Sequence, residues 1–172
     1  MPWGVGTTGR SEVRNSRVGK VAERRAVLDS AKLSLGVNVL LKLVREAAQV
    51  LAAADFDIEI VEKHHNQKVD APSGTAIALA DSINEAMDHA YHYKYDRSAE
   101  RVKRDKKEIG IQAVRGGSIV GEHDVIFAGK DEVVTFSHTA YSKAIFAKGA
   151  IQAAKFLAGK EPGLYTMADV IG

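Results

Sequence analysis

The chain has 172 residues, is 45% hydrophobic and carries a net charge of +2, so it is long enough to bury the core of one ordinary domain, or of a domain plus a remnant. It has no apolar run of transmembrane length and no charged-then-apolar leader; the absence of cysteine excludes disulfides and thiolate metal sites and fits a cytoplasmic protein. Charge is uneven, with seven Lys/Arg against three Asp/Glu in residues 1–34 and six against two in 97–107, but neither stretch interleaves aromatics, so both read as solvated surface and not as a nucleic-acid groove.

Gly4-Val5-Gly6-Thr7-Thr8-Gly9 matches G-x-G-x-x-G, and Asp29 stands 20 residues beyond Gly9. Taken literally this is a dinucleotide-binding fingerprint with its ribose acid. Its context is poor. Three residues before Gly4 are few for a first strand, and Val13, Val18 and Val21 sit among Arg, Asn and Gly where the next helix belongs. A loop that merely touches a ligand is the better reading.

Leu35–Ala54 predicts an amphipathic helix, with apolar residues at 39, 40, 43, 44, 47, 50 and 51. Asp57–Lys63 alternates as a strand. Pro72–His89 reads as a helix with Ile77, Ala80, Ile83 and Met87 on one face; Pro72 suits its first turn, and Ser73 or Thr75 can cap it. Residues 90–107 show neither period and read as a mobile basic loop. Ile109–Arg115, Ser118–Phe127 and Glu132–His138 are strand-like, separated by Gly116-Gly117 and Gly129-Lys130-Asp131. Ser142–Ala158 is a last helix, stopped by Gly159 and Pro162. The expected class is α+β, a mixed four-stranded sheet covered on one face by helices.

The chemistry concentrates in His64-His65-Asn66-Gln67-Lys68 and the following Val69-Asp70-Ala71-Pro72-Ser73-Gly74-Thr75-Ala76. Two imidazoles and an ammonium precede a helix start whose amides form an anion site, an arrangement suited to a small carboxylate that must receive a proton. Singly, each feature has a plainer explanation. A His pair at a strand end is more often hydrogen-bonded surface, Lys68 alone is a solvated lysine, and Ser73-Gly74-Thr75 alone is a helix cap. His123 and His138 lie in strand patterns and suit satisfied core histidines. No metal site is supported.

Together with Gly6-Thr7-Thr8-Gly9, Ser34-Leu35-Gly36-Val37-Asn38, Glu62-Lys63-His64-His65, Arg115-Gly116-Gly117, Gly121-Glu122-His123, His138-Thr139-Ala140, Phe146-Ala147-Lys148-Gly149-Ala150 and Gly163-Leu164-Tyr165-Thr166-Met167, this run resembles the 4-hydroxy-tetrahydrodipicolinate reductase (dihydrodipicolinate reductase) family, in its C-terminal part. The resemblance covers nearly the whole chain and is weakest between residues 10 and 30.

It implies hydride transfer from NADH or NADPH to an unsaturated cyclic dicarboxylate in lysine and diaminopimelate biosynthesis. His64 falls on the proton donor, and an unperturbed imidazole titrates near ~6.5. Lys68 falls on the second catalytic position, His65 on a substrate contact, and Gly74 and Thr75 on the carboxylate grip. Gly6, Thr7, Thr8, Ser30, Ala31, Lys32 and Leu33 fall on cofactor-facing positions. Residues 1–34 are then the remnant of a dinucleotide-binding (Rossmann) domain, 35–158 the substrate and oligomerisation domain, and 159–172 a tail returning toward the dinucleotide domain. A homotetramer through the sheet is implied, with neither nucleic acid nor membrane as partner. Three positions depart from the family: Lys32 replaces asparagine, Lys143 replaces arginine, and Arg10 stands where an apolar residue is common. A non-catalytic module for self-association or dicarboxylate binding is therefore the alternative.

Overall fold

The structure, a computed structural model, describes residues 2–6 and 11–172, with the backbone alone at residues 12–15. The elements run β1 (Trp3–Val5), α1 (Glu12–Ala22), β2 (Ala26–Asp29), α2 (Leu35–Leu51), β3 (Asp57–His64), α3 (Gly74–Ala86) and β4 (His92–Lys94). They continue with β5 (Glu108–Arg115), β6 (Gly121–Ala128), β7 (Val133–Ala140), α4 (Ala144–Leu157), β8 (Gly163–Tyr165) and α5 (Met167–Ile171). The chain divides into two units, Met1–Val39 with Lys143–Gly172, and Leu40–Ser142. No helix among the described residues is long and apolar enough to cross a membrane.

In the first unit the strands form a parallel sheet in the order β1-β2-β8. Trp3 pairs with Val27 and Val5 with Asp29, so β1, α1 and β2 make a parallel βαβ unit. Counted in sequence, too few residues precede Gly4 for the first strand of a doubly wound sheet; the strand that forms takes in Gly4 and Val5 themselves, with β2 as its partner. Ala26, Leu28, Ala153, Leu157 and Met167 form the core. Gly149 lets α4 lie against the Leu33–Ser34 backbone, where a Cβ would overlap the Leu33 carbonyl.

The second unit holds a mixed sheet in the order β4-β5-β3-β6-β7. β3 pairs parallel with β5 and antiparallel with β6, and β6 pairs antiparallel with β7. Leu40, Val44 and Ala48 of α2 and Ala76, Leu79, Ala80 and Ile83 of α3 pack on Ile58, Ile60, Ile109, Ile111, Val125 and Phe127. One face is thus covered by helices, as alternation predicted. On the other, Lys63 meets Glu122 at 3.0 Å and Asp124 at 3.4 Å.

Two expectations need correction. The sheet has five strands and not four, because His92–Lys94, within the stretch read as a mobile loop, pairs with Glu108–Gly110. Three residues carry no period, and β5 supplies what sequence could not. Several basic residues of that stretch are also tied down. Arg104 spans Asp57, Glu59 and the Ile58 and Glu108 carbonyls, and Arg97 pairs with Glu59 and Glu108. The apolar face of α2 is also broader than its buried line: Leu40, Val44 and Ala48 are buried, whereas Val39, Leu43 and Val50 are exposed.

Candidate active site

β3 ends at His64, and its even-numbered residues from Ile58 onward face the helices. The strand therefore carries Ile58 and Ile60 in the core and then Glu62 and His64 where the core runs out. Glu62 is completely buried. A charge there costs several kcal/mol unless it is paired and hydrogen-bonded. It is both. Arg115, opposite His64 in the β3–β5 register, forks onto Glu62 at 2.6 Å (Oε1) and 2.8 Å (Oε2). The Ser73 amide donates to Oε1 at 2.9 Å, and His64 Nδ1 lies 2.6 Å from Oε2. Burial alone would raise the Glu62 carboxyl, but the hydrogen bonds from Arg115, His64 and Ser73 outweigh it and hold it below the usual carboxylate range.

The same carboxylate joins the strand end to the start of α3. Ser73 is the N-cap: its Oγ accepts from the Ala76 amide at 3.1 Å and lies 3.0 Å from His123 Nε2. Pro72 therefore precedes the cap and does not occupy the first turn. Gly74 and Thr75 are the first two helical residues, whose amides have no intrahelical acceptor and favour a negative ligand. His123 sits opposite Glu62 in the β3–β6 register and presents its ring edge-on to His64, with centroids 5.2 Å apart.

The loop between His64 and Ser73 is pinned at both ends. Asn66 N–H donates to the Gly117 carbonyl at 3.2 Å, and Gly116 N–H donates to the His64 carbonyl at 2.9 Å. Gly117 turns there at φ +49, a conformation glycine adopts without penalty. Arg115 Nη2 also donates to the Asp70 carbonyl at 2.7 Å, so one guanidinium fixes both the buried carboxylate and the loop. Lys68 Nζ meets Asp70 Oδ1 at 2.7 Å, and that contact lowers the Asp70 carboxyl. His65 is half-buried beside them. Among the described residues no His/Asp/Glu group is arranged to hold a metal ion. His138 lies opposite His123 on β7, half-buried, and burial lowers its imidazole.

Gly6 and Ser30–Leu33 lie in the other unit, just past the carboxyl ends of the adjacent parallel strands β1 and β2. Ser30 N–H donates to the Val5 carbonyl at 3.0 Å. The Lys32 carbonyl accepts from Ser30 Oγ and from Asn38 Nδ2, both at 2.9 Å. A Cβ on Gly6 would stand 3.1 Å from the Leu33 side chain, so the structure brings these two segments together. Thr7 and Thr8 lie outside the described residues.

Sequence reasoning singled out His64, Lys68 and the α3 start but gave no role to Glu62 or Arg115. Their signal is a carboxylate two residues before the histidine on the core-facing side of a strand. Without the β5 register nothing marks it as buried.

A family model described as "Dihydrodipicolinate reductase, C-terminus" matches residues 36–171. The 4-hydroxy-tetrahydrodipicolinate reductase of Caldanaerobacter subterraneus subsp. tengcongensis is 54% identical over 171 residues, covering 99% of this chain and 67% of its own. That of Methanosarcina mazei is 50% identical over 171 residues, with 98% of this chain and 63% of its own covered. A dipicolinate-bound dihydrodipicolinate reductase from Paenisporosarcina sp. TG-14 has a similar fold, with a TM-score of 0.75 at 24% identity over 96% of this chain and 62% of that one. This chain spans about two thirds of the length of the relatives it matches. Over that stretch the family model covers most of the sequence and the fold is shared: the chain belongs to the dihydrodipicolinate reductase family.

Proposed function

We propose that this chain supplies the substrate-binding and proton-delivering part of an NAD(P)H-dependent 4-hydroxy-tetrahydrodipicolinate reductase of lysine and diaminopimelate biosynthesis. One observation carries the reading. The Glu62 carboxylate contacts both the His64 ring and the amide of the α3 N-cap, so a proton donor and an anion-binding helix start belong to one rigid assembly. His64 gives the proton to the ring carbon beside the one that is reduced. The Lys68 ammonium offsets the negative charge that builds on the ring, and Asp70 holds it in place. His65 and the Gly74 and Thr75 amides grip the carboxylates, where glycine lets an anion approach the backbone closely.

The first unit fits the nicotinamide end of a dinucleotide. Gly6 and the Ser30–Leu33 loop lie at the carboxyl ends of parallel strands, where such ligands bind in open α/β sheets, and Gly6, lacking a Cβ, lets Leu33 pack closely against it. Gly6, Thr7, Thr8 and Ser30–Leu33 would hold the cofactor, with Lys32 contributing a cation. A reduced nicotinamide, when bound, supplies the hydride. Association as a homotetramer would use the open face of the five-stranded sheet, where Val114 and Val133 are exposed.

One observation favours a second reading, a dicarboxylate-binding or self-associating module without turnover. Among the described residues the parallel sheet has three strands, a narrow platform for a dinucleotide. Titration of the 172-residue chain with dipicolinate and with NADH or NADPH separates the two. Reductase function predicts dicarboxylate binding and nucleotide binding that strengthens when dipicolinate is present. Dicarboxylate binding without nucleotide binding leaves the module; binding of neither ligand overturns the reductase reading and the dicarboxylate-binding module, and leaves self-association alone.

A further inference from the structure

Glu62 has no acceptor capacity to spare. A carboxylate offers about four lone-pair sites, and four donors converge on this one: Arg115 twice, the Ser73 amide and His64 Nδ1. The three donors from Arg115 and Ser73 are permanent, and the side chain is entirely buried, so Glu62 is an ionised acceptor. His64 Nδ1, 2.6 Å away, must then be the donor. His123 does not compete, since its Nε2 is engaged with Ser73 Oγ. The opposite ring nitrogen, His64 Nε2, faces Gly121, where a Cβ would come within 3.1 Å.

We propose that Glu62 and Arg115 are positioning residues for His64: the arginine-locked carboxylate fixes the Nδ1–H tautomer, which makes Nε2, beside Gly121, the nitrogen that delivers the proton. This rests on the reading of His64 as donor. In the step the doubly protonated ring loses its Nε2–H: that bond breaks, its electron pair stays on the ring, the proton bonds to the substrate carbon, and the neutral Nδ1–H imidazole is left. Nδ1–H remains on Glu62 throughout, so the imidazole neither rotates nor changes tautomer as it discharges. Gly121, having no Cβ, keeps a side chain from closing on Nε2.

The test is the ring ¹H–¹⁵N spectrum of His64 in the ¹⁵N-labelled chain, which needs no turnover and so stands apart from the ligand titrations. The neutral ring should carry its proton on Nδ1, favoured about tenfold or more over Nε2 by a hydrogen bond to a charged group. A neutral ring protonated at Nε2 in the wild-type chain overturns the proposal, whatever any variant does. The paired replacement Glu62→Leu with Arg115→Met removes both buried charges together and so spares the fold the cost of an orphaned ion. It should return the tautomer ratio toward that of a free imidazole. An Nδ1–H preference undiminished in that folded variant would show that Glu62 does not set it.

Discussion

Arg115→Ala is expected to destabilise the chain by about 3–5 kcal/mol, the effect of leaving a buried carboxylate without its counter-charge. Glu62 has no solvent exposure with which to recover hydration. The substitution also frees the Asp70 carbonyl, and with it the loop that carries Lys68. Lys63→Ala is the control on the same strand. Lys63 is about a third exposed and meets Glu122 and Asp124 on the open face, where solvent screens ion pairs and leaves them little weight in stability. Urea unfolding compares the two, and equal midpoint shifts would refute the buried lock. The pH dependence follows the same logic. The Glu62 carboxyl is held down in the folded state despite its burial, so its contribution is present above the ordinary glutamate range and is lost as pH falls through the lowered folded value. Arg115→Ala should move that acid limb to higher pH.

The parts of this architecture that the sequence discloses are those with a period. α2, α3 and β6 each run eight residues or more with burial at 3.6 or at 2 residues, and their patterns are plain. β1 and β4 have three residues each and exist because β2 and β5 present free edges, a fact of register and not of pattern. The site divides the same way. His64, Lys68 and Ser73–Thr75 stand within a dozen residues, and proximity in sequence exposes them. The group that organises them is not legible so early. Glu62 and Arg115 are 53 residues apart, and each reads as an ordinary strand charge until the β3–β5 ladder aligns them. The exposed half of the α2 stripe misleads for a related reason: an apolar residue on a helix reports that a face exists, whereas the sheet decides how much of it is covered.

His64→Gln should lower the rate of reduction by about 10²–10⁴-fold, the usual contribution of a positioned general acid. The effect should fall on kcat with little change in KM, because the lost interaction operates in the transition state and the dicarboxylate grip of His65, Gly74 and Thr75 is untouched. The rate would be measured with the chain fused to the remaining third of the Caldanaerobacter relative, since this chain spans 67% of that protein. Glutamine suits the test. Its side-chain amide can donate to Glu62 as Nδ1 does, so the buried carboxylate keeps its donors and the strand end keeps its shape, while nothing remains that can release a proton. Lys68→Ala serves as the contrast. An ammonium that faces bound and reacting substrate alike should alter KM together with kcat. A His64→Gln enzyme slowed less than tenfold would assign proton delivery elsewhere, to Lys68 or to water; one slowed by thousands with normal dipicolinate affinity would identify the imidazole at the end of β3 as the acid.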